Sequence, residues 1–327
     1  MNRRHLLRLG GLAAPALLLA RPLRAAEEWP SKPVTIIVPF APGGSSDIIG
    51  RAVAQRMTEA LGKPVVVENR PGAAGEIGAR ALARATPDGH LLMAAPISTF
   101  AINKALRPNL GYDPEKDFTN LTQSVSTPNV LVVNPRQVAA NDLATLVPWL
   151  KRSGAQDSYS TSGVGSSDHL TMELFKQLTG TNMAHIPYAG GAPATTDLIA
   201  GNVQMSFQNL GFITPFIRDR QVKPILVTSA QRHPLLPDVP TAAEAGLQDF
   251  VVSSWQAMAA PPRMEAGLTA RVHAAIATAL RHPATVEQMD RIGFSVVAST
   301  PDEFQEFQRR EIARWTEVVR RGNIQPA

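Results

Sequence analysis

Short runs of aliphatic and β-branched residues alternate with longer stretches of helical period along most of the chain. Val34–Val38, Val65–Val67, His90–Met93, Val130–Val133, His185–Ile186, Val203–Phe207, Ile225–Val227 and Phe250–Val252 read as strands. Several are apolar at consecutive positions, the pattern of parallel strands covered on both faces. Between them lie amphipathic segments. Leu143, Leu146, Val147 and Leu150 share one helical face, with Asp142 in the first turn and Lys151 and Arg152 before Gly154 as a stop. Phe304, Phe307, Ile312, Trp315 and Val319 form an apolar stripe on a helix opened by Pro301-Asp302, best explained as core packing. This alternation predicts an α/β protein with mostly parallel sheets. Two places suit a crossing between lobes, near Ser126-Thr127-Pro128 and near Thr228-Ser229. They divide the chain into 27–127 with 229–327 as one lobe and 128–228 as the other, joined by a hinge.

Three predicted strand-to-helix turns are rich in glycine and hydroxyls where a helix should begin. They are Pro39–Asp47, containing Phe40, Gly43, Gly44, Ser45, Ser46 and Asp47; Ser160–Ser167, containing Ser162, Gly165, Ser166 and Ser167; and Pro187–Gly191, containing Tyr188 and Gly190. Ligands of open α/β sheets bind outside the carboxyl ends of strands. The free N–H groups of helix N-termini favour an anion there. All three turns therefore suit a carboxylate. Asp47 has two open roles, orienting water or a ligand amine, or serving as an acid beside a helix N-terminus.

Charge changes the picture of partners. The chain has 32 basic and 27 acidic residues, and Arg3, Arg4, Arg8, Arg21 and Arg24 account for the whole excess. The remainder is neutral, so no nucleic-acid partner is expected. The same arginines flank the apolar run Leu9–Ala20, which ends before Leu23-Arg24-Ala25. That run is shorter than the roughly 18 residues a membrane span needs. Residues 1–26 read as a cleaved signal peptide. The Arg3-Arg4 pair suits twin-arginine export, with the general secretory route as the alternative. The expected compartment is the periplasm.

Enzyme chemistry finds little support. The absence of cysteine removes disulfides, thiolate metal sites and a cysteine nucleophile. Gly43-Gly44-Ser45-Ser46 lacks the Gly-Lys-Ser/Thr of a phosphate loop, and Gly163-Val164-Gly165 meets Asp168 where a dinucleotide fingerprint wants glycine. No cofactor, metal or catalytic residue is expected. Ser166 and His169 keep a periplasmic ester or amide hydrolase as the runner-up. No Gly-x-Ser-x-Gly elbow accompanies them, and the Ser166 hydroxyl suits a helix cap. For His169, ligand contact and a packed or capping role stay open.

The motifs form an ordered set. Trp29–Val34, Val38–Asp47 with Arg51, Val67–Ala73, Pro87-Asp88-Gly89, Asp113-Pro114 with Asp117-Phe118, Gly163–Ser166, Pro187–Gly190, Leu236–Thr241 with Glu244–Gly246, and Ala260-Pro261 together resemble the tripartite tricarboxylate transporter receptor family, or Bug proteins. The resemblance implies a two-lobed type II periplasmic binding-protein fold that closes on its ligand at a hinge. It adds Ser98, Thr99, Gln208 and Asn209 to the expected ligand contacts. It also implies a small organic carboxylate as ligand, presented to membrane transporter subunits or to a sensor kinase's periplasmic domain by a monomeric receptor. Many members carry an acid where this chain has Gln208, a basic residue at Ala189 and Asn at Glu76.

Overall fold

The computed structural model describes residues 29–153 and 156–326. The expected signal peptide and the stop at Gly154 lie outside the described residues. In chain order the elements are β1 (Val34–Val38), α1 (Ser45–Leu61), β2 (Val65–Asn69), a 3-10 turn (Ala73–Gly75), α2 (Glu76–Ala83), β3 (Leu91–Pro96), a π turn (Ser98–Ile102) and α3 (Asn103–Leu106). Next come β4 (Thr119–Val133), α4 (Leu143–Ser153), β5 (Ser158–Thr161), α5 (Ser167–Thr179), β6 (Ala184–Pro187), α6 (Gly191–Ala200), β7 (Met205–Asn209), α7 (Leu210–Arg218) and β8 (Lys223–Val227). The chain ends with β9 (Ser253–Ala260), α8 (Ala266–Arg281), α9 (Pro283–Arg291), β10 (Ser295–Val296) and α10 (Pro301–Gly322).

Two mixed sheets share one strand. The first runs β2-β1-β3-β9-β4 with β10 also on β4; the second places β4 between β7 and β8 and continues β7-β5-β6. The parallel pairs are β1 with β2 and β3, and β5 with β6 and β7. β5 carries no apolar run and is not among the expected strands, and the apolar runs of β4 and β8 lie in antiparallel pairs. The antiparallel pairs are β9 with β3 and β4, β10 with β4, and β4 with β7 and β8. β4 pairs with β9 as far as Pro128 and with β7 from Asn129, so one 15-residue strand belongs to both sheets. Phe250–Val252 are not a strand; pairing begins at Ser253, where β9 joins β3 and β4. Ser160 and Thr161 belong to β5, so the second glycine-rich turn starts at Ser162.

The cores explain why the amphipathic segments fold as helices. α10 buries Phe304 and Trp315 and packs Phe307, Ile312 and Val319 partly, as its stripe predicts. Its start is fixed by a capping box in which the Glu303 N–H donates to Thr300 Oγ1 (3.3 Å) and the Thr300 N–H to Glu303 Oε2 (2.8 Å). α4 buries Leu143, Leu146 and Leu150. The segment after β8 stays with the second sheet: the Val227 N–H donates to Pro240 O (3.0 Å), the Ala242 N–H to Val227 O (2.9 Å), and Phe250 packs on Phe207 and Phe175.

A tight contact joins the two halves beside β4. Thr127 Oγ1 donates to Gly293 O (2.8 Å) and accepts from the Gly211 N–H (3.2 Å). A Cβ at Gly211 would overlap the ring of Phe294, itself 1% exposed. Gly211→Val is therefore expected to destabilise the protein by about 2–3 kcal/mol through overpacking. Urea unfolding measures this, and a loss under about 0.5 kcal/mol would mean that Phe294 yields freely.

Candidate ligand-binding cleft

The helices that start at carboxyl ends of the parallel strands open on one cavity of about 860 Å³. That is within the range of small-molecule pockets. Its walls include the starts of α1, α5, α6 and α7. Gly44 caps α1 and Gly190 caps α6, and neither helix has a side chain on its first-turn N–H groups. α5 is capped by Ser166, whose Oγ accepts the His169 N–H (3.3 Å) and donates to Gly163 O (2.6 Å). Asn209 precedes α7 and its amide donates to Asn129 Oδ1 (2.6 Å) and Ser167 Oγ (3.2 Å), which leaves the α7 start without a side-chain cap.

Two aspartates hold the loops in place by the same device. Asp47 Oδ2 accepts the Gly43 N–H (2.9 Å) and Arg51 Nε (2.9 Å), while its Oδ1 accepts Asn69 Nδ2 (3.0 Å). Burial alone would raise this carboxyl's pKa, but the bonds from Arg51, Gly43 and Asn69 together hold it below its ordinary value. On the other wall Asp168 Oδ2 accepts the Ser162 N–H (2.6 Å). Burial without a cation pushes its pKa up, against the opposing bonds from Ser166 and Ser162. The matching geometry has a matching sequence: Gly44-Ser45-Ser46-Asp47 and Gly165-Ser166-Ser167-Asp168 are the same tetrapeptide.

Fifteen of the expected contacts line the cavity: Phe40, Gly43, Gly44, Ser45, Ser46, Asp47, Ser98, Ser162, Gly165, Ser166, Ser167, Tyr188, Gly190, Gln208 and Asn209. Thr99 is the exception. It is fully buried behind the wall, with Oγ1 2.9 Å from where a Gly75 Cβ would sit. The π turn rotates it away while Ser98 stays at the surface of the cleft. Asp47 is thus a loop-holding acid as well as a wall residue. Tyr188 is fixed by its hydroxyl, which donates to Asp197 Oδ2 (2.5 Å). Burial and that carboxylate push the phenol up to about 12.

Several wall residues escape the sequence reading. Ser254 and Gln256 arrive on β9, and Ser46 Oγ donates to Gln256 Oε1 (2.5 Å). The loop Pro71–Gly75 forms another part of the wall, with Ala73 and Ala74 both left-handed (φ 48° and 52°). That conformation costs about 1–2 kcal/mol per non-glycine residue. Asn103 Nδ2, donating to Ala74 O (3.0 Å), and the close packing of Phe40 and Thr99 on Gly75 hold it. Such strain gathers at ligand clamps. Arg107, Phe212 and Asp168 also line the cavity. Of these, Asp168 alone carries a signal in the sequence, the repeated tetrapeptide.

His169 lies beneath the cleft and does not line it. Its Nδ1 accepts the Gly165 N–H (3.2 Å), and its ring stacks on His185 at 4.1 Å, which stacks on Tyr159 at 5.0 Å. Burial, and then the neighbouring His185, pull the His169 pKa down to about 3. The Ser166 hydroxyl bonds to backbone rather than to the His169 ring, which is not the arrangement of a nucleophile on its base.

The profile of the tripartite tricarboxylate transporter family receptor matches residues 49–324. The chain belongs to that family. Protein BugT of Bordetella pertussis is 35% identical to this receptor over 321 residues, covering 98% of both chains. A solved periplasmic transporter superposes with a TM-score of 0.86 at 39% identity, covering 91% of the receptor and 99% of its own chain. An R. palustris protein solved with adipate gives 0.87 at 32% identity, covering 92% and 100%. MatC of Rhodopseudomonas palustris with bound malate gives 0.83 at 31%, covering 89% and 100%. The receptor has the two-lobed architecture of these periplasmic binding proteins.

Proposed function

We propose that this chain is a periplasmic solute-binding receptor that captures a small organic carboxylate in the cleft and delivers it to the membrane subunits of a tripartite tricarboxylate-type transporter. The observation that carries the reading is the convergence of helix starts from both sheets on one cavity, with the first-turn N–H groups of α1 and α6 free of side-chain caps. The relatives solved with adipate and malate support the ligand class. In this reading a carboxylate receives charge-assisted hydrogen bonds from α1 on one lobe and α5 and α6 on the other. Binding both lobes at once favours the closed state.

The lobe boundary belongs to the same proposal. We place one crossing at Pro128–Asn129 of β4, where pairing changes sheets. The second is placed at Val252–Ser253 instead of after Val227, because residues through Phe250 pack with the second sheet. Residues 1–26 serve as the export leader in this proposal.

A thermal-shift screen across carboxylates and neutral sugars tests the ligand class. A ligand at a hundred times its Kd adds about 2.7 kcal/mol to the native state, so a carboxylate is expected to raise the melting temperature. A shift with a sugar and none with any carboxylate sinks the proposal. Gly44→Val tests the site. Gly44 is extended (φ −79°, ψ 172°) with its nearest neighbour 3.8 Å from an added Cβ, so the fold tolerates valine while the cleft loses space. Affinity is expected to fall at least tenfold, about 1.4 kcal/mol, with the unliganded melting temperature unchanged. Unchanged affinity would remove α1 from the site.

A further inference from the structure

Arg107 is a cation with nothing to neutralise it. Among the described residues it is the one lysine or arginine lining the cleft, and it joins no ion pair. Its Nε is buried without a hydrogen-bond partner. The two acids on the cleft wall are engaged elsewhere, Asp47 by Arg51 and the Gly43 N–H, Asp168 by the Ser162 N–H. A partly desolvated guanidinium without an anion is costly to keep, and buried polar groups are normally satisfied.

Its setting points the same way. Arg107 follows the last residue of α3 and its N–H closes that helix on Asn103 O (2.9 Å). The π turn before α3 brings Thr99 Oγ1, Asn103 Oδ1 and Arg107 Nε into succession at four-residue spacing, and all three lack a partner. π turns recur at functional sites. Leu106 and Asn103 lie 2.9 and 3.7 Å from where a Gly165 Cβ would be, so Arg107 adjoins the point where α3 meets the second lobe's glycine-rich loop. A guanidinium there offers a planar fork suited to a carboxylate, which a lysine does not.

We propose that Arg107 reads a second carboxylate on the ligand, so that the cleft selects dicarboxylates over monocarboxylates of equal chain length. The inference rests on the carboxylate-capture reading: the helix starts hold one carboxylate and Arg107 holds the other. It makes Arg107 the specificity-determining residue.

Calorimetry on the full mature chain, with adipate against hexanoate and succinate against butyrate, tests it in wild type, Arg107→Gln and Arg107→Lys. Each pair differs only in the second carboxylate. Wild type is expected to bind one diacid at least tenfold more tightly than its monoacid. Arg107→Gln is expected to lower the affinity for that diacid about thirtyfold, the scale of a charge-assisted pair, and to leave the monoacid within about threefold. Arg107→Lys keeps the charge but loses the fork and should fall between. An equal loss for both members of a pair, or no loss for either, overturns the inference. Wild type binding diacid and monoacid equally also overturns it while leaving carboxylate capture standing. No heat from any of the four acids removes both. Melting temperatures of the two variants, expected at the wild-type value, separate misfolding from lost recognition.

Discussion

Trp255→Ala is expected to lower the free energy of unfolding by about 3–5 kcal/mol, the range for an aromatic truncated in a packed core. Trp255 is fully buried, stacks with Phe100 at 6.2 Å and meets Phe304 and Phe307 edge-on at 5.8 and 5.3 Å. Its Nε1 donates to Glu311 Oε2 (2.9 Å), which also accepts Trp315 Nε1 (3.1 Å). Truncation empties the space between β9 and α10 and halves the bonding of a buried carboxylate. The site is involved as well, because strand alternation points the neighbours Ser254 and Gln256 at the cleft. Urea unfolding at pH 7 reads the loss. A value under about 1 kcal/mol would show that the β9–α10 contact collapses to fill the gap, and Trp255→Phe should restore part of the stability.

Acid is expected to destabilise the fold well before its carboxylates titrate. Burial pulls His169 down to about 3 and His185 to about 4. Both are therefore neutral in the native state where an unfolded histidine, near 6.5, begins to charge. The unfolded chain binds more protons, so stability is full above pH 6.5 and falls as pH drops toward 4. Each pKa unit is worth about 1.4 kcal/mol, which puts the loss from pH 7 to pH 4 on the order of 6 kcal/mol for the pair. His233, lowered by burial, acts in the same direction. The groups facing the stack are Glu173, Lys176 and Tyr159, with Asp168 beside it. Glu173 has a lowered pKa and adds its loss only below about 4.5, while Asp168, raised by burial, opposes the trend. Between pH 6.5 and 5 the histidines supply the destabilising slope and Asp168 opposes it. Unfolding free energy measured across that window should flatten in His169→Gln/His185→Gln. A wild-type curve flat from pH 7 to 5 would contradict the burial of the stack.

What the sequence makes legible follows from which forces act locally. β1 is four aliphatic residues around Thr35, all five good strand formers, and its bounds are as expected. The starts of α1, α5 and α6 declare themselves because capping chemistry resides in the residues beside them. β4 does not, since its first half, Thr119–Ser126, is largely polar and yet mostly buried. Some of its polar groups bond far along the chain, Thr122 Oγ1 to Ser299 O and Asn120 Nδ2 to Gln308 Oε1. A hydrophobic pattern cannot report a strand whose polar groups are paired across the molecule. The same reason hides Gln256 and Arg107, which the antiparallel β9 and the π turn carry to the cleft. Thr99 departs from expectation for the converse reason: adjacency to Ser98 in sequence does not survive the twist of that turn. The end of β8 looks like a lobe crossing in sequence, but the Pro240 and Thr241 backbone returns to Val227 and keeps the chain on that sheet.

The paired aspartates have a kinetic consequence. Asp47 and Asp168 fasten Gly43 and Ser162 through the backbone, so the rim of the cleft is shaped when the chain folds. Little loop ordering then remains for the ligand to impose on arrival. Competing acids should reach the receptor at similar speeds and differ in how long they stay.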